Sequence, residues 1–182
     1  PFVSSEELYE LTGTTLEQHT IFDIYAADLN ADNHLEIIPL SNKGVMLWEN
    51  DGSESFTPFE IKQNNRDFLA VTLDFGDINQ DGLIDIMAGS DATDSEESLI
   101  VFEQISNNPY NFDAHPTSES FFTSDGDEIK FYNTQSLAIA DMDSDGDLDI
   151  ISTSTSNGCN AIFWHENDLT GVGGLIRHPL AP

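Results

Sequence analysis

The sequence predicts an all-β chain that forms a partial β-propeller of about three and a half four-stranded antiparallel blades. One segment pattern occurs three times, each copy carries an acidic loop of nine residues, and the apolar residues around the loops alternate or run together as in strands. The first aspartates of the loops, Asp28, Asp77 and Asp141, lie 49 and 64 residues apart. Such a period suits one four-stranded sheet per repeat.

Each repeat divides into four strand-like segments, with the acidic loop between the first two. The third segment ends in an acidic residue followed by an amide, and a turn leads to the fourth. The third segments are MLWEN (46–50), IVFEQ (100–104) and FWHEN (163–167), and the fourth are FTPFEI (56–61), NFDAHP (111–116) and LIRHPL (175–180). This alignment makes Trp48, Phe102 and His165 equivalent, and likewise Phe59, His115 and His178.

The repeats also set the expected domain boundaries. Residues 22–66, 67–118 and 133–182 each form a blade with one loop, and residues 1–21 form the end of a preceding blade, with His19 at the recurring fourth-strand position. The segment SSEELYEL (4–11) could begin a helix, but the repeat favours a strand there. Because three and a half blades leave open sheet flanks, we expect the remaining blades of a longer chain, or a second copy, to complete the ring.

The loops offer oxygen atoms at alternate positions, which is the donor pattern that calcium prefers. Calcium takes six to eight oxygen ligands from carboxylates, amides, backbone carbonyls and water. In the third loop the predicted ligands are four carboxylates at positions 1, 3, 5 and 9 and a backbone carbonyl at position 7. Gly146 at position 6 permits the positive φ of a sharp reversal. The ligands are Asp141, Asp143, Asp145, Asp149 and, through its carbonyl, Asp147.

The second and first loops repeat this pattern with small changes. The second loop provides Asp77, Asn79, Asp81, Leu83 and Asp85, and the first provides Asp28, Asn30, Asp32, His34 and Glu36, with position 7 again acting through its carbonyl. In the first loop Asn33 replaces the glycine and Glu36 replaces the last aspartate. The sequence therefore predicts up to three Ca²⁺ ions, with the first loop binding most weakly.

Helix–loop–helix calcium sites and plain turns fit these loops less well. Helix–loop–helix sites need a glutamate at position 12, where this chain has Pro39, Ala88 or Ser152, and apolar β-branched residues after position 9 favour strands over helices. Asp, Asn and Gly are also common in plain turns. Three loops in the same register, with carboxylates that repel one another unless a cation lies between them, favour metal binding.

The second and third loops, DINQDGLIDI and DMDSDGDLDI, together with WHENDLTG and a later histidine, resemble the integrin-type propeller repeat called FG-GAP or VCBS. This family occurs in integrin α-chains and in many secreted bacterial proteins. The resemblance covers nearly the whole chain and implies a propeller with calcium loops along one rim, used for adhesion or ligand binding. It also implies an extracellular or cell-surface location. Family propellers usually have about seven blades.

Charge and composition restrict the partners. The chain has 34 acidic and five basic residues, giving a formal net charge of −29. Nucleic acids and anionic membranes are poor partners for such a surface. No run approaches the roughly 18 apolar residues that a membrane span needs. Cys159 is alone, so no disulfide forms within the chain, and we expect calcium to stabilise the fold instead.

The sequence favours a binding module over an enzyme. It contains no nucleophile elbow, phosphate-binding loop or zinc-protease motif. An alternative is the propeller of a carbohydrate-active enzyme such as a polysaccharide lyase, which would need basic residues near acidic sugars; another is a subunit of an extracellular filament or matrix. We expect the recurring histidines to pack or hydrogen-bond. We expect Trp48, Phe102 and Trp164 to pack between blades, although stacking on a carbohydrate ligand is an alternative.

Overall fold

The computed structural model describes residues 20–41, 44–62, 69–90, 98–117, 120–122, 128–130, 132–156, 159–167 and 175–181. In these ranges every regular element is a strand, so the predicted all-β class is confirmed. The strands form three four-stranded antiparallel sheets and one two-stranded hairpin. None of the described residues belongs to a helix that could cross a membrane. The predicted strands before residue 20, with His19, lie outside the described residues.

The three sheets share one topology, in which each strand pairs with the next along the chain. Sheet one contains β1 (Ile21–Ala27), β2 (Glu36–Ser41), β3 (Gly44–Asn50) and β4 (Phe56–Ile61). Sheet two contains β5 (Ala70–Gly76), β6 (Asp85–Ser90), β7 (Leu99–Asn107) and β8 (Tyr110–Thr117). The hairpin β9 (Ser120–Phe122) and β10 (Glu128–Lys130) follows, and sheet three contains β11 (Tyr132–Ala140), β12 (Asp149–Ser156), β13 (Cys159–Glu166) and β14 (Ile176–Ala181).

Strand register confirms the alignment of the repeats. In each sheet the second residue of the second strand is an isoleucine that pairs with the equivalent third-strand residue: Ile37 with Trp48, Ile86 with Phe102 and Ile150 with His165. The equivalent fourth-strand residues also have equivalent partners: Phe59 with Leu47, His115 with Val101 and His178 with Trp164. The acidic–amide pair therefore marks the same register position in each third strand. The predicted strand end is wrong for β7, which continues three residues beyond the pair to Asn107.

The core lies between neighbouring sheets. Between sheets one and two, Ile38 and Leu47 pack in one buried cluster with Ile86 and Phe102. Between sheets two and three, the buried cluster includes Met87, Val101, Leu137 and Ile150. Successive strand residues point to opposite faces, so sheet two buries apolar side chains on both faces, which explains why β6 is buried along its whole length.

The first strands of the three sheets lie beside one another and bring the acidic loops to the same end of the molecule. The backbone N–H of Ile139 in β11 donates to Asp74 Oδ2 in β5 at 2.9 Å. The ring of Tyr25 in β1 packs edge-on against Phe75 in β5, with 6.0 Å between centroids. Each of these residues lies two or three positions before its acidic loop. The loops after β1, β5 and β11 therefore share one rim.

Candidate metal centres in three acidic loops

The backbone of each loop turns through two left-handed residues. Position 6 has positive φ in all three loops: 70° at Asn33, 90° at Gly82 and 101° at Gly146. Position 4 does so as well, with values of 60°, 59° and 67° at Ala31, Gln80 and Ser144. The sequence indicated the positive φ at position 6 but not the one at position 4, because Ala, Gln and Ser carry no preference for this conformation. Residues with a Cβ atom disfavour it by roughly 1–2 kcal/mol, so the loop itself must hold them there.

Hydrogen bonds from the loop backbone hold the side-chain oxygens on the inside of the turn. In the second loop, the carboxylate of Asp77 accepts the N–H groups of Asp81 and Gly82, both at 2.9 Å. The Asn79 side-chain oxygen accepts the same Asp81 N–H at 3.0 Å. Asp81 Oδ1 in turn accepts the N–H of Leu83 at 2.8 Å. The predicted ligands at positions 1, 3 and 5 are thus brought together by the turn.

The first loop repeats these contacts, whereas in the third loop both contacts of the position-1 aspartate are replaced by another. Asp28 accepts the N–H groups of Asp32 and Asn33 at 3.1 and 3.0 Å. Asp141 instead accepts the N–H of Ser144 at 2.7 Å. The first loop also carries a side chain at position 7 that reaches back into it, since His34 Nδ1 lies 3.1 Å from Asp32 Oδ1.

The third loop brings three carboxylates into one cluster. Oxygen atoms of Asp141, Asp143 and Asp145 all lie within 4.8 Å of one another. Asp147 lies beside them with only 5% of its surface exposed, and its Oδ1 has no hydrogen-bond partner. Burial raises the pKa of Asp147, and the nearby charge of Asp145 raises it further. An all-oxygen donor set with an unpaired buried carboxylate oxygen fits a hard divalent cation such as Ca²⁺.

Position 9 has a second role that the sequence did not indicate. Asp85 and Asp149 are fully buried. Asp85 accepts the N–H of Ile78 in its own loop at 3.0 Å and the N–H of Gln104 in β7 at 2.8 Å. Asp149 accepts the N–H groups of Met142 and Asn167 in the same way, both at 2.9 Å. These carboxylates tie each loop to the third strand of its sheet, and each oxygen keeps a second lone pair for a cation.

The longer side chain at position 9 of the first loop is accommodated less completely. Glu36 Oε2 accepts the N–H of Leu29 at 2.7 Å, as an aspartate does in the second and third loops. Glu36 Oε1, however, is buried and makes no hydrogen bond. Burial raises the pKa of Glu36. The weaker binding expected of the first loop stays a prediction, because this unpaired oxygen is as free to bind a cation as that of Asp147.

The two recurring histidines among the described residues, His115 and His178, form hydrogen bonds with the third strand, as expected. His115 Nε2 lies 2.8 Å from Glu103 Oε2. His178 Nε2 lies 2.5 Å from the equivalent Glu166 Oε2, and its ring packs on Trp164 with 4.6 Å between centroids. Glu103 also accepts a hydrogen bond from Asn79 Nδ2 at 2.8 Å. These histidines therefore belong to separate sheets, and the pair in sheet two contacts its loop through Asn79.

The buried carboxylate of Asp85 predicts a pH dependence of stability in the absence of divalent ions. Burial raises its pKa from 3.8 to about 6, with the charges of Asp81 and Asp77 adding to the effect. Between these pH values the folded state binds more protons than the unfolded state, so stability falls as the pH rises. In chelator we expect a melting temperature a few degrees higher at pH 5 than at pH 7.

Calcium should remove this trend, because the ion would replace the proton as the group that neutralises the carboxylates. Thermal melts at the two pH values, with and without calcium, check both statements. A melting temperature that rises from pH 5 to pH 7 in chelator would contradict the assignment of Asp85 as a buried, destabilised charge.

Gly52, in the turn between β3 and β4, supports the first loop. Its φ is 73°, and a Cβ atom there would collide with the imidazole ring of His34 at Nε2. Gly52→Ala should therefore destabilise the protein by about 1–2 kcal/mol through backbone strain, with a further loss from displacement of the imidazole. Urea unfolding measures the change. In the double variant Gly52→Ala, His34→Ala, only the part of the stability loss that comes from the collision with the imidazole should be recovered. If no stability is recovered, the contact with the ring is unimportant.

Comparison with known proteins agrees with the repeat. The family model for an FG-GAP-like repeat matches residues 28–88, which confirms the resemblance over that segment. No curated protein matches the chain. A solved structure of an Agrocybe aegerita lectin that specifically recognises non-reducing terminal N-acetylglucosamine is similar in fold, with a TM-score of 0.53 and 18% identity. The match covers 89% of this chain and 39% of that one, so the chain spans well under half of the lectin chain.

Proposed function

We propose that this chain, whose residues 28–88 form an FG-GAP-like repeat, is a non-catalytic, calcium-stabilised recognition module at the cell surface or outside the cell. The observation that carries the proposal is the repeated acidic turn, which gathers three carboxylates within 4.8 Å in the third loop. The ion would bind the side chains at positions 1, 3, 5 and 9 and the carbonyl at position 7. Its contribution would be structural: it neutralises the carboxylates and fixes the turn between the first two strands.

The proposed architecture is part of a β-propeller, with each four-stranded sheet as one blade. It is supported by the side-by-side first strands and by the acidic loops on one shared rim. Sheets one and three also expose apolar side chains that a further blade would cover: Ile21, Phe22 and Ile24 on β1, and Ile162, Ile176 and Leu180 on β13 and β14. The remaining blades of a longer chain, or a second copy, are the proposed partners.

The number of bound calcium ions can be measured directly. Native mass spectrometry and calorimetry in calcium should show up to three bound ions, with the affinities of about 10⁻⁴–10⁻³ M that extracellular modules display. Asp81→Ala should remove one ion. Asp113→Ala, which changes an exposed aspartate of β8 outside the loops, should remove none. Absence of binding at millimolar calcium, or equal ion numbers in both variants, would refute the metal assignment.

Recognition can be separated from catalysis in one screen. We expect binding to some member of a panel of glycans and extracellular matrix proteins, lost when calcium is chelated, and no turnover of uronate-containing polysaccharides. Lys62 is paired with Glu60 at 2.7 Å, and the chain has only five basic residues against 34 acidic ones, which favours recognition over binding of an acidic sugar. Turnover of a uronate polymer would replace the recognition hypothesis with the lyase alternative.

A further inference from the structure

A continuous chain of buried hydrogen bonds joins the second and third loops across the interface between sheets two and three. Asp149 Oδ1, at position 9 of the third loop, accepts the backbone N–H of Asn167 at 2.9 Å. The side-chain Nδ2 of Asn167 donates to the carbonyl of Ile78 in the second loop at 2.7 Å, and to that of Leu148 at 3.3 Å. The N–H of Ile78 then donates to Asp85 Oδ2 at 3.0 Å.

The four residues that form this connection, Asp149, Asn167, Ile78 and Asp85, are almost fully buried, so their hydrogen bonds cannot be exchanged freely with water. The two ends of this connection are the carboxylates of Asp149 and Asp85, which occupy position 9 of different loops. A change in the orientation of Asp149 therefore moves the backbone of Asn167, and its side chain carries the movement to the carbonyl of Ile78. Buried polar networks of this kind transmit changes because an unpaired member is costly.

The equivalent connection between sheets one and two is interrupted. Gln104 occupies the position of Asn167, and its backbone N–H donates to Asp85 Oδ1 at 2.8 Å. Leu29 occupies the position of Ile78, and its N–H donates to Glu36 Oε2 at 2.7 Å. The side-chain amide of Gln104, which is one methylene longer than that of asparagine, is buried and makes no hydrogen bond through either Nε2 or Oε1.

A second contact also joins the second and third loops and has no equivalent at the first loop. Gln80 Nε2, at position 4 of the second loop, donates to the carbonyl of Gly146 in the third loop at 3.0 Å. The equivalent residue of the first loop is Ala31, whose side chain has no donor. The first loop is contacted instead by Asn107, the last residue of β7, whose Nδ2 donates to the Asn30 carbonyl at 3.2 Å. That contact does not reach the second loop.

We propose that Asn167 couples the second and third loops, so that a cation bound in one raises the affinity of the other, while the first loop binds independently. This inference rests on the proposed calcium function and adds to it a positioning residue. Asn167 acts through Asp149 and Ile78 and is not itself a predicted ligand. By the reciprocity of linkage, the effect is equal in both directions.

The experiment measures calcium binding by calorimetry in a background whose first loop is disabled by Asp28→Ala and Asp32→Ala. Disabling the second loop as well, with Asp81→Ala, should weaken binding at the third loop by about fivefold. Asn167→Gln, which copies the residue of sheet two, should reduce this effect to less than twofold. The matched gain-of-function variant, Gln104→Asn in the otherwise unchanged chain, should introduce coupling between the first and second loops.

A second readout does not depend on affinity. With the second loop disabled, calcium added to the third loop should increase the hydrogen-exchange protection of the Ile78 amide, and Asn167→Gln should abolish that increase. Circular dichroism checks folding, and if Asn167→Gln does not fold, Gln104→Asn decides between coupled and independent loops. Calcium binding that is independent at every loop overturns the coupling alone, whereas no calcium binding in the unmodified chain overturns the proposed function as well.

Discussion

Chelation of calcium is expected to lower the melting temperature by about 15–30 °C. In about 10 mM calcium, which is a hundred times a Kd of about 10⁻⁴ M, a site adds about 2.7 kcal/mol to stability, so three such sites add about 8 kcal/mol. That is comparable with the whole stability of an ordinary domain, which is about 5–15 kcal/mol. For a chain of this length, 1 kcal/mol corresponds to roughly 2–4 °C. The cation-free carboxylates also repel one another, which acts in the same direction.

Scanning calorimetry in calcium, in magnesium and in chelator makes this measurement. Magnesium should stabilise much less than calcium, because its strict octahedral geometry suits a flexible loop of carboxylates poorly. A high concentration of monovalent salt in the chelated sample provides the control for the net charge of −29, since salt screens the general repulsion but does not fill a loop. A melting temperature unchanged by chelator would show that calcium does not stabilise this fold.

Gly89→Ala is expected to destabilise the protein by about 3 kcal/mol, near the upper end of the cost of overpacking a core. Gly89 lies in β6, where sheet two meets sheet three. A Cβ atom there would lie 2.7 Å from Thr134 Cγ2 in β11, 2.8 Å from Thr72 Cγ2 and 2.9 Å from the Thr134 carbonyl oxygen. Because one of these atoms belongs to the backbone, a change of side-chain rotamer cannot relieve the contact. The sheets must move apart.

A second glycine at the same interface gives the matched control. A Cβ atom on Gly76 would lie 2.9 Å from Leu148 Cδ1, which is the end of a flexible side chain, and its other neighbours are 3.6 Å away. Gly76→Ala should therefore cost clearly less than Gly89→Ala in denaturant unfolding. Equal losses for both variants would show that the backbone contact between β6 and β11 is not what makes Gly89 necessary.

The repeat allows much of the fold to be predicted from the sequence. The pair of an acidic residue and an amide, as in Glu103 and Gln104, lies at the same register position of the third strand in each copy, although β7 continues three residues beyond the pair. That is why Trp48, Phe102 and His165 align correctly. The position-6 reversals are predictable too, because Gly and Asn favour positive φ. In these cases the information is local and occurs three times.

The features that the sequence does not predict depend on neighbours distant along the chain. The hairpin β9–β10 lies outside the repeat and has no second copy to reveal it. The left-handed conformation of Ala31, Gln80 and Ser144 is imposed by the loop and not by those residues. In the sequence Asn167 only marks the end of a strand, and its distance to the Ile78 carbonyl in another sheet is what shows that it joins two loops.

The shared rim also limits what this molecule can touch once its loops are filled. Its three turns carry eleven carboxylates, of which three divalent ions would cancel the charge of only six. The calcium-bound rim therefore stays negatively charged and should repel sulfated or uronic polymers at low ionic strength. A neutral sugar or a lysine-rich protein surface could approach it closely, which directs the first search for a binding partner to those two classes.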